Sequence, residues 1–141
     1  MTQRHVEKLS QESCIELLKD SLIGRIIFVD ENGPNAWPIN YAMYGDNVVF
    51  RVEQQSRLRN QLNDKIAFEI DHMEPDASSG WSVLVHGHAH EVPVDQVHNI
   101  VKQMKETVPR PWAEGIHNVW IEIEAEEITG RTLTSSHSAA L

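Results

Sequence analysis

Four polar residues lie close together after a candidate hairpin and could bind an anion. They are Arg51, Ser56, Arg57 and Arg59. Guanidinium groups bind phosphate through paired hydrogen bonds, and a hydroxyl with free backbone N–H groups at a helix start would complete the site. The alternative is a solvated polar loop, which is commoner in general. We interpret the cluster as a site for a phosphorylated cofactor.

A second group with chemical potential is a row of three histidines at alternate positions, His86, His88 and His90. On a strand they would project from one face with neighbours ~7 Å apart. Two imidazoles at that spacing could bind a transition metal. The sequence places no acid or cysteine nearby to complete such a site. We therefore expect a solvent-facing strip and no bound metal.

Two carboxylates, Glu69 and Asp71, share a strand face near His72 and could transfer protons. We favour the simpler interpretation, an exposed polar face. Cys14 is interpreted as a small buried side chain, because no histidine and acid accompany it. The sequence contains no GxGxxG, P-loop, HExxH or GxSxG motif. Rossmann cofactor binding, nucleotide hydrolysis, zinc proteolysis and serine hydrolysis therefore have no support.

The four tryptophans divide into two groups. We expect Trp37 and Trp120 to serve packing in the core or between subunits. Trp81 and Trp112 each follow loop residues, so we expect them to line a ligand or a partner.

Composition excludes several classes of protein. The net charge of −9, from 21 acidic and 12 basic residues, argues against nucleic acid as a partner. No apolar run approaches the ~20 residues of a membrane helix, and the N-terminus lacks the apolar region of a signal peptide. Cys14 is the only cysteine, which excludes an intrachain disulfide and a cysteine-based zinc site. We expect a cytoplasmic protein.

These residues must be positioned by short strands and a few helices. Alternating or helically spaced apolar residues identify the elements, and glycine, proline, asparagine and aspartate mark the turns. The predicted helices run from the N-cap Ser10 to Gly24, over Ser56–Asn63 and over Asp95–Val108. The predicted strands are Arg25–Val29, Ala36–Met43, Val48–Val52, Lys65–Asp71, Trp81–Val92 and Val119–Ile123, with a further candidate at Glu126–Arg131.

Turn and bulge residues suggest how the strands connect. Gly45-Asp46-Asn47 predicts a tight hairpin turn between the second and third strands. Pro38 indicates either an edge strand or a bulge, because proline cannot donate to a ladder. Gly87 marks a bulge that would help the sheet curl. Short connections favour an antiparallel sheet closed or nearly closed on itself, with helices packed outside. We predict one domain over residues 1–133 and a disordered tail over 134–141.

Three ordered segments resemble a known family. They are Gly24–Val29 with Gly33-Pro34 and Pro38–Tyr41, then Val49–Arg51 with Ser56–Leu58, and Phe68–Asp71 with Ser79–Gly87. Together they resemble the pyridoxamine 5′-phosphate oxidase-like FMN-binding split barrels, in particular the small branch with the nitroimidazole-resistance (Nim-type) reductases. Pro111–Ala113 and Thr129–Arg131 also look like that branch. The resemblance covers nearly the whole chain in order.

The resemblance implies a mainly β fold, a six-stranded antiparallel split β-barrel with flanking helices. It also implies a homodimer with two FMN sites at the interface. The residues that it assigns to the cofactor fall into three groups. Pro38, Ile39, Asn40 and Tyr41 would present backbone groups to the isoalloxazine edge. Phe50, Arg51, Ser56 and Arg57, with Leu58 after them, would form the ribityl and phosphate end. Gly80, Trp81, Ser82 and Val83 from the partner subunit would flank the ring, with Trp112 and Arg131 closing the pocket.

The activity implied is an FMN-dependent oxidoreductase that passes a hydride between the flavin and a small, flat substrate. The cofactor would carry the chemistry, so no catalytic side chain is assigned. Vitamin B6 oxidation itself is not expected, because no basic C-terminal substrate segment is found. Two alternatives remain open: a deazaflavin or a haem ligated by His72 or His117, and a non-catalytic protein that stores or senses flavin.

Overall fold

The computed structural model describes residues 2–54, 56–61, 64–104 and 119–137. Within them are eight strands and two α-helices, and a short 3-10 helix covers Arg57–Gln61. The strands are β1 (Thr2–Lys8), β2 (Ile23–Asp30), β3 (Gly33–Asn40), β4 (Ala42–Tyr44), β5 (Asn47–Val52), β6 (Lys65–Met73), β7 (Ser79–Glu91) and β8 (Val119–His137). The helices are α1 (Gln11–Asp20) and α2 (Val94–Met104). Neither helix is long and apolar enough to cross a membrane.

One antiparallel sheet contains all eight of these strands, in the order β3-β2-β6-β7-β8-β5-β4, with β1 also on β8. β8 pairs with β7 along most of its length. On its other side it pairs first with β5, over Val119–Ile123, and later with β1, over 131–137. The sheet curls into a half-barrel. The predicted antiparallel split-barrel fold is thus confirmed, with eight strands among the described residues rather than six.

A bulge between β7 and β8 accommodates the curl. His86 lies opposite Glu127, but Gly87 lies opposite Ala125, so Glu126 is the extra residue in β8. A Cβ atom on Gly87 would lie 2.0 Å from the carbonyl oxygen of Glu124. Only glycine permits this approach of the two backbones. The predicted bulge at Gly87 is confirmed.

The core lies on one face of the sheet, hereafter the core face. Ile26, Phe68 and Val85 are fully buried there. Helix α1 covers this face, because its apolar stripe places Cys14 and Leu18 in the same cluster. Its N-cap is Ser10, whose hydroxyl accepts a hydrogen bond from the Ser13 N–H, as predicted.

Tyr41 joins α1 to the sheet. Its hydroxyl donates a 2.6 Å hydrogen bond to the carbonyl oxygen of Leu18, and only 2% of the residue is exposed. Burial raises the pKa of this phenol, so it stays protonated and remains a donor. We expect Tyr41→Phe to lower the free energy of unfolding by about 1–3 kcal/mol, because a buried carbonyl loses its partner. Urea unfolding would measure this, and Tyr44→Phe should change stability much less. Equal stabilities of the Tyr41 variant and the wild type would contradict this assignment.

The prediction of one continuous strand over Ala36–Met43 was wrong, because Tyr41 separates this segment into β3 and β4. The Tyr41 N–H donates to the Leu22 carbonyl oxygen over 3.1 Å, which takes the residue out of the ladder. β3 therefore pairs with β2, while β4 forms the hairpin with β5 around Gly45. The turn was predicted correctly and its first strand was not. β3 is an edge strand, which is the first of the two alternatives that Pro38 indicated.

Both ends of the described chain differ from the sequence prediction. Thr2–Lys8 forms a strand that was not predicted. It pairs with the end of β8, which continues to His137. Residues 134–137 therefore belong to the sheet and are not part of a disordered tail, while 138–141 lie outside the described residues. Helix α2 is described to Met104, and the rest of the predicted Asp95–Val108 helix lies outside the described part.

Candidate functional site

The face of the sheet that carries Glu69, Ser82 and Arg131 bears a groove across β6, β7, β8 and β1. It consists of two adjoining depressions of about 380 and 760 Å³ that share Val6, Glu69, Ser82 and Arg131. The strand register aligns Asp71, Ser82, Arg131 and Lys8 in one row across the four strands. We call this concavity the outer groove. Each of the two depressions has a volume in the range of small-molecule sites.

The residues predicted to flank a cofactor ring lie mostly in the outer groove. Gly80, Trp81, Ser82 and Arg131 line it. A side chain at Gly80 would place a Cβ atom 2.1 Å from the Met73 sulfur and 2.7 Å from the His72 carbonyl oxygen. Glycine therefore keeps β6 and β7 close at the end of the groove.

Two carboxylates on β6 meet one arginine beside the groove. Nη1 of Arg25 donates to Oε1 of Glu69 over 3.1 Å and to Oδ2 of Asp71 over 3.0 Å. Desolvation of Glu69, together with a hydrogen bond and repulsion from Asp71, raises the pKa of Glu69 to about 7, against the opposing effect of Arg25. We expected a simple exposed polar face. Instead, the Glu69 side chain is only 22% exposed and lines the groove.

The raised pKa of Glu69 predicts how stability depends on pH. The folded state favours the protonated acid, so wild-type stability falls as pH rises from about 4.5 through about 7. Glu69→Gln is neutral at every pH. We expect the melting temperature of this variant, relative to wild type, to be higher at pH 8 than at pH 5.

The matched control for this prediction is Glu124→Gln, on an exposed position of β8. The difference in melting temperature between this control and the wild type should stay nearly constant from pH 5 to pH 8. If the difference in melting temperature between Glu69→Gln and the wild type were also constant, Glu69 would be ionised at both pH 5 and pH 8.

His72, the third member of the predicted acid–base group, does not join the two carboxylates. Its Nε2 atom lies 3.2 Å from Oε1 of Glu74, and its ring lies 6.4 Å from that of Trp81.

The predicted phosphate end lies at the 3-10 helix and not in the outer groove. The Ser56 hydroxyl accepts a 3.2 Å hydrogen bond from the Leu58 N–H, so it caps this short helix. Arg57 reaches the β2–β3 hairpin, where it pairs with Asp30 and lies 5.6 Å from the centre of the Trp37 ring. Arg51 lies 5.5 Å from the centre of the Trp120 ring, and Arg59 pairs with Glu91 over 3.2 Å. Each arginine is therefore held by its own neighbours.

The remaining predicted site residues are mostly buried. Four side chains belong to the core with at most 2% exposure, so any ligand contact would involve their backbone: Tyr41, Phe50, Leu58 and Val83. On the edge strand, Pro38 is exposed, while Ile39 and Asn40 are half-buried. Trp112 lies outside the described residues. Trp37 and Trp120 pack as predicted, in or against the two core clusters.

The histidine row differs from the prediction in one respect, because each ring faces a glutamate of β8. His86 lies 3.6 Å from Glu127, His90 lies 3.2 Å from Glu122, and His88 contacts Glu126. Sequence reasoning missed these acids because only the strand register brings them opposite β7. The described residues contain no cluster of three or more potential ligands arranged to hold a metal.

Comparison with known proteins agrees with this architecture. A sequence profile of the pyridoxamine 5′-phosphate oxidase family matches residues 10–132. The chain belongs to this family. Among curated relatives, the uncharacterized protein Rv0080 of Mycobacterium tuberculosis is 26% identical over 134 residues, which cover 90% of this chain and 85% of that protein.

Solved structures show the same fold. The FAD binding protein of Mycobacterium smegmatis is 28% identical, with a TM-score of 0.68, and the match covers 91% of this chain and 98% of that one. A FAD-binding protein of Mesorhizobium loti is 20% identical, with a TM-score of 0.71 and coverage of 94% and 99%. A candidate 5-nitroimidazole antibiotic resistance protein of Bacteroides thetaiotaomicron is 9% identical, with a TM-score of 0.73 and coverage of 98% and 95%. The last two matches concern the fold alone.

Proposed function

We propose that this member of the pyridoxamine 5′-phosphate oxidase family is a flavoprotein that binds FMN and acts as an oxidoreductase on a small, flat substrate. The observation that carries the proposal is the outer groove, whose lining includes Gly80, Trp81, Ser82 and Arg131. The 28% identical FAD binding protein of Mycobacterium smegmatis supports a flavin as the cofactor class.

The residues present fit such a cofactor. The groove offers a concave surface with a tryptophan and an arginine, to which a flat, polar-edged ring is suited. At the phosphate end, Arg57 uses Nε and Nη2 for its bonds to Asp30, and its hydrogen bonds within the described part of the chain do not involve Nη1. That atom can donate to a phosphate oxygen, and the Ser56 hydroxyl can donate beside it. A bound flavin would supply hydride transfer, and the chain would position it and exclude water.

We further propose that the site is shared between two copies of the chain. Within the described part of one chain, the polar partners of Arg57 and Arg59 are Asp30, Asn35, Gln54 and Glu91, none of which lines the outer groove. Val6 and Met73, at the groove, are 62% and 46% exposed although both are apolar. A second copy would cover them and bring its own phosphate end to the groove. Light scattering should give a mass of twice 16.1 kDa, and a monomer at micromolar concentration would contradict the shared site.

The absorption spectrum of the purified protein, before and after addition of FMN, tests the cofactor. We expect flavin bands, or uptake of about one FMN per chain. Denaturation and chromatography would identify the released molecule, and release of FAD would overturn the assignment to FMN. A Soret band would favour haem. If neither flavin bands nor a Soret band were seen, a deazaflavin would remain as the alternative. Turnover of a reduced nicotinamide with an artificial acceptor separates an enzyme from a protein that only stores flavin.

A further inference from the structure

Arg57 is held from three directions by the β2–β3 hairpin. Its Nε atom donates to Oδ2 of Asp30 over 3.1 Å, and its Nη2 atom donates to the same oxygen. Nη2 also lies 3.4 Å from Oδ1 of Asn35, and the Trp37 ring lies under the guanidinium. Of the donors on this group, Nη1 alone remains uncommitted among these contacts. The orientation of the guanidinium is therefore determined by three neighbours that sequence reasoning did not assign to the site.

Asp30 is itself fixed in place. Its side chain is only 8% exposed, and its Oδ1 atom accepts a 2.9 Å hydrogen bond from the Asn32 N–H in the β2–β3 turn. The Arg57 hydrogen bond keeps the pKa of Asp30 below its usual value, so the carboxylate is ionised at neutral pH. A carboxylate in this place has two opposite effects on a nearby phosphate. It repels the anion, and it holds the arginine that would bind it.

We propose that Asp30 is a positioning residue of the phosphate end, which orients Arg57 so that Nη1 meets the phosphate of the cofactor. Asn35 and Trp37 complete the support. The inference rests on the proposed function, because it names what prepares that same site. Holding a long, flexible side chain in its binding geometry reduces the entropy lost when the ligand binds. A charge-assisted hydrogen bond is also directional, so misplacing its donor weakens binding.

The direction in which one substitution changes the affinity for FMN shows whether Asp30 mainly positions Arg57 or mainly repels the phosphate. Asp30→Asn removes the negative charge and keeps the shape of the side chain. If repulsion dominated, the variant would bind FMN more tightly. We expect the reverse: the dissociation constant for FMN, measured by quenching of flavin fluorescence, should rise roughly tenfold or more. Asp46→Asn, in the exposed β4–β5 turn, is the matched control and should leave the constant unchanged.

Riboflavin separates a local effect on the phosphate from a general loss of structure. It lacks the phosphate, so Asp30→Asn should change its dissociation constant less than twofold while weakening FMN binding. Asp30→Glu should recover part of the FMN affinity. If Asp30→Asn does not fold, Asn35→Ala removes a weaker contact that also holds Arg57. We expect this variant to lose less affinity for FMN and to keep its affinity for riboflavin.

Each outcome has a distinct meaning. Failure of the wild type to bind either flavin overturns the proposed function itself. Binding of FMN by Asp30→Asn as tightly as by wild type, or more tightly, overturns the positioning role and leaves the flavin assignment standing. Equal weakening of FMN and riboflavin also overturns it, because the effect would not depend on the phosphate.

Discussion

A variant that carries both Arg51→Ala and Arg57→Ala is expected to lose its flavin during purification. Each guanidinium would contribute charge-assisted hydrogen bonds to the phosphate, worth about 1.5–3 kcal/mol apiece. Loss of both would weaken binding by roughly 10²-fold or more, by the rule that 1.4 kcal/mol is tenfold. Flavin content per chain, from the absorbance ratio of flavin to protein, measures this. The overall charge of −9 makes the local arginines more necessary, since the general field repels an anion.

The control for this variant is Arg4→Ala on β1, an exposed arginine that we place in neither half of the site. It removes one positive charge and should retain flavin. The folded state of the double variant should be verified by its circular dichroism, because Arg57 also links the 3-10 helix to the β2–β3 hairpin. Unchanged flavin content in a folded double variant would refute the phosphate assignment.

The second large effect is expected from Gly87→Val. The new Cβ atom would lie 2.0 Å from the Glu124 carbonyl oxygen, and the nearest atoms are backbone that cannot rotate away. The strands would have to separate at the bulge, where the sheet curls. Overpacking alone costs about 1–3 kcal/mol, and broken ladder bonds add to it. Against a typical domain stability of about 5–15 kcal/mol, we expect a strongly lowered melting temperature or failure to fold.

His88→Val provides the comparison for Gly87→Val. It places the same β-branched residue in the same strand, on a side chain that is 41% exposed, and it removes only the surface contact with Glu126. Such pairs contribute about 0–1 kcal/mol, so its melting temperature should stay close to that of the wild type. Similar melting temperatures for the two variants would mean that the bulge tolerates a side chain at Gly87.

Local patterns in the sequence predicted most of the sheet, because they reflect local physics. Alternation identified β6, with Ile66, Phe68 and Ile70 toward the core, and glycine identified the bulge. Two features of the sheet could not be predicted in this way: the strand β1 and the break between β3 and β4. β1 is mostly polar, and its residues 4–8 are all exposed, so no alternation distinguishes it. The break between β3 and β4 depends on Tyr41 bonding to Leu18 and Leu22, which lie far away in the sequence.

The candidate site was predictable only where its residues lie close together in the sequence. The arginines and Ser56 follow one strand, so their cluster is visible. Pairing of Arg25 with Glu69 and Asp71 depends on the register of β2 against β6. The approach of Asp30 to Arg57 depends on how the 3-10 helix packs on a hairpin. The sequence alone therefore gives little weight to Glu69 as a functional residue, and it indicates nothing beyond a turn at Asp30.

The pairing of β8 with three other strands has a consequence for the order in which the protein can be assembled. β8 follows every other described strand in the chain, yet it lies inside the sheet, between β7 and β5. β1 and β5 pair with it, and β4 is attached through β5. During synthesis, the β3-β2-β6-β7 portion and the β4–β5 hairpin can each pair before β8 is available. Contacts as distant in sequence as Thr2 with His137 form last, so completion of the fold waits for the ribosome to release the end of the described chain.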